Sequence, residues 1–395
     1  MSQPVAAHFI KAYLSPTETF VGDQITTLQR YKPVVVCHHE GKNNIYQVPA
    51  FHTLADGQRG LIGLWENSSY KLLRRLTRSE TIRAAHWLRE QEPQILHFHY
   101  GVDAAYYLKL RKMFDVPAVV SFYGYDVSSF PNTLAGVGRL YLRRILPEIN
   151  CFIAMSSDMK KDLLRLGAPE SKIVIHYYGI RAERFAFPGR VYKRKDVCTI
   201  LCVGTLEPKK GQHHLLTLLR EVEKQRPDLK FRIVLVGSGD LEPMLRKLVN
   251  EFGWSDQVRF TGHIQHDDPR LVEEFHDADI FVLYSTTQPD GDKEGIPGTV
   301  VEAMAAGLPV VSTVHAGIPE VVEHRVDGIL VKEGEISALG TALVELMDNV
   351  TLRESLGRAA AKRALNQLDL ARKTRELEEI YDSVQMGYWK SRQDK

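Results

Sequence analysis

Short apolar runs, each closed by a polar or glycine-containing loop and followed by a stretch of helical spacing, recur along most of this 395-residue chain. Strands that alternate with helices in this way are joined by crossovers and lie parallel. Both faces of such a sheet are covered, and ligands bind at the edge where the strands end. The length is generous for one core and comfortable for two. The expected fold class is therefore α/β, with two doubly wound domains.

The first set of runs comprises Ala6 to Leu14, Lys32 to His38, Val48 to His52, Gln94 to His99, Pro117 to Phe122 and Cys151 to Ser156, with another near Ile173. A second set begins at Thr199 with TILCVG, RIVLVG and the run Ile280 to Tyr284. Between them, the Pro188 and Gly189 pair beside a basic run predicts a hinge, which sets the domains at residues 1–190 and 197–369. After the opening strand, Ser15, Thr17, Glu18 and Thr19 occupy a loop at the ligand edge, with helix capping by Thr17 or Thr19 as the alternative. His97 and His99 alternate with Leu96 and Phe98, which puts both on one sheet face, where a buried, hydrogen-bonded histidine is the commoner state. The segment KLLRRLTRSETIRAAHWLRE, Lys71 to Glu90, has a helical period and reads as one helix or as two joined near Thr77. Its basic face is either solvated surface or a dock for anionic lipid.

No run of eighteen apolar residues occurs, and the N-terminal residues lack the pattern of a secretory signal, so the expected location is the cytoplasm, including the inner face of the membrane as a peripheral protein. Cys37, Cys151, Cys198 and Cys202 read as reduced core thiols. Residues 1–190 carry 24 Lys and Arg against 16 Asp and Glu, while the remainder carries 27 against 33. No nucleic-acid motif accompanies the basic half, so an anionic acceptor or a membrane surface is the expected partner and nucleic acid is not.

The densest chemistry lies between Ala278 and Thr313, which reads as strand, loop, helix, strand. Its loop ends in Glu294-Gly295-Ile296-Pro297-Gly298, so a glycine-flanked backbone runs into a helix start at Thr299 whose N–H groups lack intrahelical partners. Such a start attracts anions. Glu294 just before it and Glu302 one turn into it can place a carboxylate on each side of a bound phosphate, as a sugar, a diphosphate and a ribose in line would require. Asp290-Gly291-Asp292, in the same loop, reads as a turn rather than a metal site.

EGIP followed by EAMAAGLPVVST, with Glu294 and Glu302 at an E-x7-E spacing and GIPE at Gly317 to Glu320, resembles the donor-site signature of family-4 retaining glycosyltransferases of the GT-B fold, of the bacterial polysaccharide or lipopolysaccharide type. The resemblance implies two facing Rossmann-like domains, a terminal helix of about residues 370–395 crossing back onto the first, and transfer of a sugar from a nucleotide diphosphate sugar to an acceptor hydroxyl on a saccharide or glycolipid. It implies Glu294, Lys210 and Asp126 as catalytic groups. Thr205, Lys210, Gly237, Glu294, Gly295, Ile296, Pro297, Gly298, Thr299 and Glu302 would bind donor, and Glu18, Thr19, His99 and Tyr123 would lie on the acceptor side. Lys210 would meet the diphosphate, Glu302 the ribose and Glu294 the donor sugar, with neither metal nor other cofactor, while Lys209 would be solvated. Thr205 stands where many relatives carry arginine, and Tyr123-Gly124-Tyr125-Asp126 where many carry His-Gly-x-Asp. The alternatives are a nucleotide-sugar epimerase or glycosyl phosphorylase of the same architecture, or a non-catalytic nucleotide-sugar-binding protein.

Overall fold

The computed structural model describes residues 3–13, 19–40, 46–54 and 75–393. They form two units, Met1–Gly179 with Leu370–Lys395, and Ile180–Asp369. In the first, strands β1 (Val5–Tyr13), β2 (Lys32–Glu40), β3 (Ala50–Thr53), β4 (Ile95–His99), β5 (Ala118–Ser121), β6 (Cys151–Ala154) and β7 (Ile173–Ile175) make a parallel sheet in the order β3-β2-β1-β4-β5-β6-β7. Its strand interiors are apolar on both faces because helices cover both: Val34, Val35, Val36, Ile95, Leu96, Phe98, Val119, Val120, Phe152 and Ile153 are all inaccessible to solvent. In the second, β8 (Cys198–Val203), β9 (Phe231–Val236), β10 (Val258–Gly262), β11 (Ile280–Leu283), β12 (Val310–Thr313) and β13 (Gly328–Val331) are ordered β10-β9-β8-β11-β12-β13. The order reverses between β1 and β4 and again between β8 and β11, and ligands of doubly wound sheets bind at such switch points.

The change of unit falls after Gly179, about ten residues before the expected boundary, and the Pro188 and Gly189 pair lies within the second unit. The reason is Arg190. Its guanidinium donates to the carbonyls of Phe275, Ala278 and Ala306 at 2.6, 2.8 and 2.6 Å, and the Tyr192 hydroxyl donates to Gly307 at 2.6 Å, which binds the segment to the second unit. The terminal helix, Leu370–Gln393, belongs to the first unit. Glu378 accepts the main-chain N–H groups of Gln29 and Arg30 at 2.8 and 2.6 Å, and Asp382 accepts the Tyr31 hydroxyl at 2.7 Å. Residues 71–74 lie outside the described residues, but the helix Arg78–Glu90 starts on its own capping box: Thr77 Oγ1 accepts the Glu80 N–H, and Glu80 Oε2 accepts the Thr77 N–H. Thr77 is extended, with φ −68° and ψ 170°, so a single helix does not run through it. The four cysteines are buried thiols outside any disulfide.

One face of the first sheet carries an unusual layer. His8 on β1 pairs in register with His97 on β4, and His97 and His99 stack with centroids 4.3 Å apart, each 5.3 Å from His8. All three are fully buried. His97 bonds the Tyr381 hydroxyl at 2.5 Å and the Ser121 hydroxyl at 2.8 Å; His99 bonds Tyr123 at 2.7 Å and His8 at 3.0 Å. Burial lowers His8 to about 3 and sets His97 and His99 well below the ordinary imidazole range, so all three are neutral. Among the described residues this is the group of ligating side chains close enough to hold a metal ion, yet its nitrogens are engaged with each other and with hydroxyls, leaving His8 Nε2 without a hydrogen bond.

These histidines stay uncharged in the fold and take up protons when it unfolds below about pH 6.5, so their contribution is fully present above that pH and is lost as pH falls. The expected loss is roughly 1.4 kcal/mol per pH unit for each histidine. Urea unfolding of the first unit between about pH 7.5 and pH 5 measures it; a free energy flat across that interval would contradict the neutral layer.

Candidate active site

At the carboxyl edge of the second sheet, the loop after β8 and the loop after β11 meet at the switch point. The first of these contains the one-turn helix Pro208–Lys210, ended by Gly211 with φ 68°, where a Cβ would lie 2.2 Å from the Tyr284 carbonyl oxygen. Only glycine lets that turn close against the end of β11. The turn delivers Lys210 to Glu294: Nζ and Oε1 are 2.7 Å apart, with the side chains 13% and 12% exposed. Burial alone would raise the Glu294 carboxyl, but Lys210 and Lys209 outweigh it and hold the group below the usual carboxylate range. The predicted diphosphate cation and the predicted sugar carboxylate are thus each other's partners.

Lys209 is not solvated as expected. Its Nζ lies 3.0 Å from Asp292 and 3.7 Å from Glu207, and although burial opposes its charge, Glu294, Glu207 and Asp292 hold its pKa above the ordinary lysine value. Asp290-Gly291-Asp292 is a turn: the Asp292 N–H donates to Asp290 at 2.9 Å, and Gly291 N–H to the Gln288 carbonyl at 2.8 Å. Thr205 is exposed and donates its hydroxyl to Glu207 at 2.5 Å. At Gly237, with φ 137°, a Cβ would fall 2.0 Å from the Gly204 carbonyl oxygen, so the glycine lets the loop after β9 pack directly on the loop after β8.

The helix Gly298–Ala305 begins behind Pro297, which supplies neither an N–H nor a side-chain cap. Gly295, Ile296 and Pro297 are buried, and Gly298 and Thr299 are half-buried. The helix buries Val300, Val301, Ala303, Met304 and Ala305, which fixes its position. Glu302 on it is 4% exposed, with Oε1 3.2 Å from His266 Nε2.

The first unit has its own polar edge. Tyr123 follows β5, is half-buried and packs on Phe20 and Tyr100 with centroids 4.9 and 4.7 Å away. Its hydroxyl bonds His99 Nδ1. His99 therefore stands one layer beneath the surface, not on it. Asp126, expected among the catalytic groups, is also enclosed: Oδ1 accepts the N–H groups of Tyr123 and Gly124 at 3.1 and 3.2 Å, and Oδ2 that of Gly101 at 2.8 Å. Burial pushes its carboxyl up to about 6 even though these amides favour the charged form. It ties the loop after β4 to the loop after β5. Thr19 opens the helix Thr19–Thr26 and is half-buried, while Glu18 lies outside the described residues. Sequence reasoning passed over His8, Tyr100, His266, His315 and Glu333. Four of these follow directly on strand ends or their loops, and polar residues there were the available signal.

The family model described as "Glycosyltransferase Family 4" matches residues 19–184, and that described as "Glycosyl transferases group 1" continues from 185 to 363. Together the two glycosyltransferase models run from residue 19 to residue 363. The chain is 34% identical over 253 residues to the amylovoran biosynthesis glycosyltransferase AmsK of Erwinia amylovora, covering 64% of this chain and 60% of AmsK. It is 33% identical over 254 residues to the putative colanic acid biosynthesis glycosyltransferase WcaL of Escherichia coli K12, covering 62% of this chain and 59% of WcaL. The chain thus spans about 60% of the length of these curated relatives. The crystal structure of Anabaena Alr3699/HepE in complex with UDP matches 96% of this chain and 100% of its own, with a TM-score of 0.75 at 18% identity. That likeness establishes the two-domain GT-B fold.

Proposed function

We propose that this chain is a retaining hexosyltransferase of family 4 that moves a sugar from a nucleotide diphosphate sugar to a hydroxyl of a saccharide or lipid-linked acceptor in cell-surface polysaccharide synthesis. The observation that carries the reading is the buried Lys210–Glu294 pair at the switch point, with Glu302 close by on the helix that follows. Departure of a nucleoside diphosphate places negative charge on phosphate oxygens, and a fixed cation beside a helix start stabilises that charge. Lys210 is that cation and the backbone from Gly298 to Thr299 is that helix start. Glu302 holds the ribose diol, and Glu294 accepts hydroxyls of the transferred sugar once Lys210 turns to phosphate. No metal has a part in this scheme, because Asp292 already serves Lys209. HepE is crystallised with UDP and with UDP-glucose, which supports a nucleotide-sugar donor here.

The acceptor is read from the first unit. No described helix is long and apolar enough to cross a membrane. The helix Thr133–Arg143 nevertheless exposes Val137 (54%) and Leu140 (64%) beside the exposed Arg139, Arg143 and Arg144, and Arg75 and Arg78 are exposed near the start of the helix Arg78–Glu90. Lys71 and Arg74, the rest of that cluster, lie outside the described residues. Apolar side chains rimmed by arginine suit a lipid-linked acceptor presented at an anionic surface, with the enzyme peripheral at the inner face of the membrane.

A thermal-shift panel of UDP-, GDP- and ADP-sugars identifies the donor. With that donor, transfer should proceed in EDTA, and Glu302→Ala should weaken the free nucleoside diphosphate about ten- to a hundredfold, the loss of a hydrogen bond to a charged group of roughly 1.5–3 kcal/mol. Activity abolished by EDTA and restored by Mg2+ or Mn2+, or unchanged diphosphate affinity in the variant, would contradict the scheme. Co-sedimentation with vesicles should show binding to anionic lipid that fades as salt rises; indifference to lipid charge would return the acceptor to the soluble pool.

A further inference from the structure

The Glu294 main chain is held from behind. Its N–H donates to His315 Nε2 at 3.1 Å, and His315 Nδ1 lies 2.7 Å from Glu333 Oε1. Glu333 also reaches the other end of the same loop, where Oε2 accepts the Thr287 N–H at 2.8 Å and Oε1 the Thr287 hydroxyl at 3.3 Å. A main-chain N–H can only donate, so Nε2 of His315 is bare and its proton sits on Nδ1, directed at the carboxylate. The tautomer is therefore determined from both sides. The imidazole is buried while Glu333 is one-third exposed, and Ala316, next in the chain, adopts φ 46°, a left-handed conformation unfavourable to alanine. The N–H of Gly317 adds a further bond, to the Gly295 carbonyl at 3.1 Å.

We propose that His315 and Glu333 are positioning residues for donor-sugar recognition: one imidazole–carboxylate pair pins both ends of the Thr287–Glu294 loop and so aims the Glu294 carboxylate. The inference rests on the reading of Glu294 as the group that binds the transferred sugar. Its physical content is a competition. Glu294 lies against Lys210, and when phosphate takes Lys210 the carboxylate must stay where the sugar hydroxyls arrive. A loop released from His315 lets the carboxylate follow Lys210 or turn to Lys209, and the sugar then loses its partner while the diphosphate retains its own. The pair thus acts on the intact donor and not on the free nucleotide.

Side-chain amides separate the two bonds of His315. Glutamine in its place sets an amide oxygen near the position of Nε2 and keeps the acceptor for Glu294; asparagine sets its amide near Nδ1 and keeps only the donor to Glu333. Glu333→Gln has one accepting oxygen for two donors and must release either Thr287 or His315. With the identified donor, His315→Asn, His315→Leu and Glu333→Gln should each lose about tenfold or more in kcat/KM, His315→Gln should retain most of it, and affinity for the free nucleoside diphosphate should stay within about twofold in all four. Two results would overturn the proposal: donor kinetics unchanged in both His315→Leu and Glu333→Gln, or diphosphate affinity and thermal stability falling in parallel with kcat/KM in every variant, which marks a purely structural role. Glu294→Gln is run beside them. If it too leaves donor kinetics intact, the reading of Glu294 fails and the inference fails with it; if it alone impairs them, only the inference fails.

Discussion

Parallel strands can be joined only by crossovers, and this constraint sends every loop that follows a strand to the same edge of its sheet. In the second unit it places the loops after β8 and β11 side by side, and their meeting is closed by the ion pair of Lys210 and Glu294. A pair this buried attracts strongly but is desolvated on both sides, so its net contribution to stability is small while breaking it on one side only is costly. In the proposed scheme that asymmetry makes it a switch for ligands. A free diphosphate that drew Lys210 away would strand a buried carboxylate; an intact nucleotide sugar would draw Lys210 away and give the carboxylate hydroxyls in exchange. Discrimination of donor from its own product would then follow from the pair itself.

The first unit solves a different problem at the corresponding edge. Its central strands carry three histidines that must be neutral and hydrogen-bonded to remain inside, and they are closed by hydroxyls of Ser121, Tyr123 and Tyr381. Tyr381 comes from the terminal helix, so the last segment of the chain completes the polar layer of strands near its beginning. The same layer supports Tyr123 from below, while Asp126 fixes the two loops that flank it. Tyr123 is thereby held on a dry, uncharged base.

Most of the fold was legible because both sheets are buried on two faces and their strands therefore read as apolar runs. The Lys210 turn and the carboxylates at Glu294 and Glu302 were legible from motif and spacing, since loop chemistry at a helix start is local. What escaped depends on tertiary register. Lys209 differs from a solvated lysine only because Asp292, far along the chain, arrives beside it. The boundary at Gly179 was missed because the three carbonyls that bind Arg190 belong to elements that sequence cannot bring to it. Asp126 read as catalytic because a carboxylate near a sheet edge fits both roles until its oxygens are seen to accept main-chain amides. The capping box at Thr77 was local and readable; the helical period around it masked the break.

The central claim is that Glu294 competes with phosphate for Lys210, and titration calorimetry of Glu294→Gln with the nucleoside diphosphate of the identified donor tests it most directly. Removing the carboxylate frees Lys210, so the diphosphate should bind the variant at least as tightly as it binds the natural protein, while sugar transfer falls about tenfold or more. Diphosphate affinity that drops along with transfer would mean that Glu294 holds Lys210 in place for phosphate, and the account of the pair as a switch would be wrong.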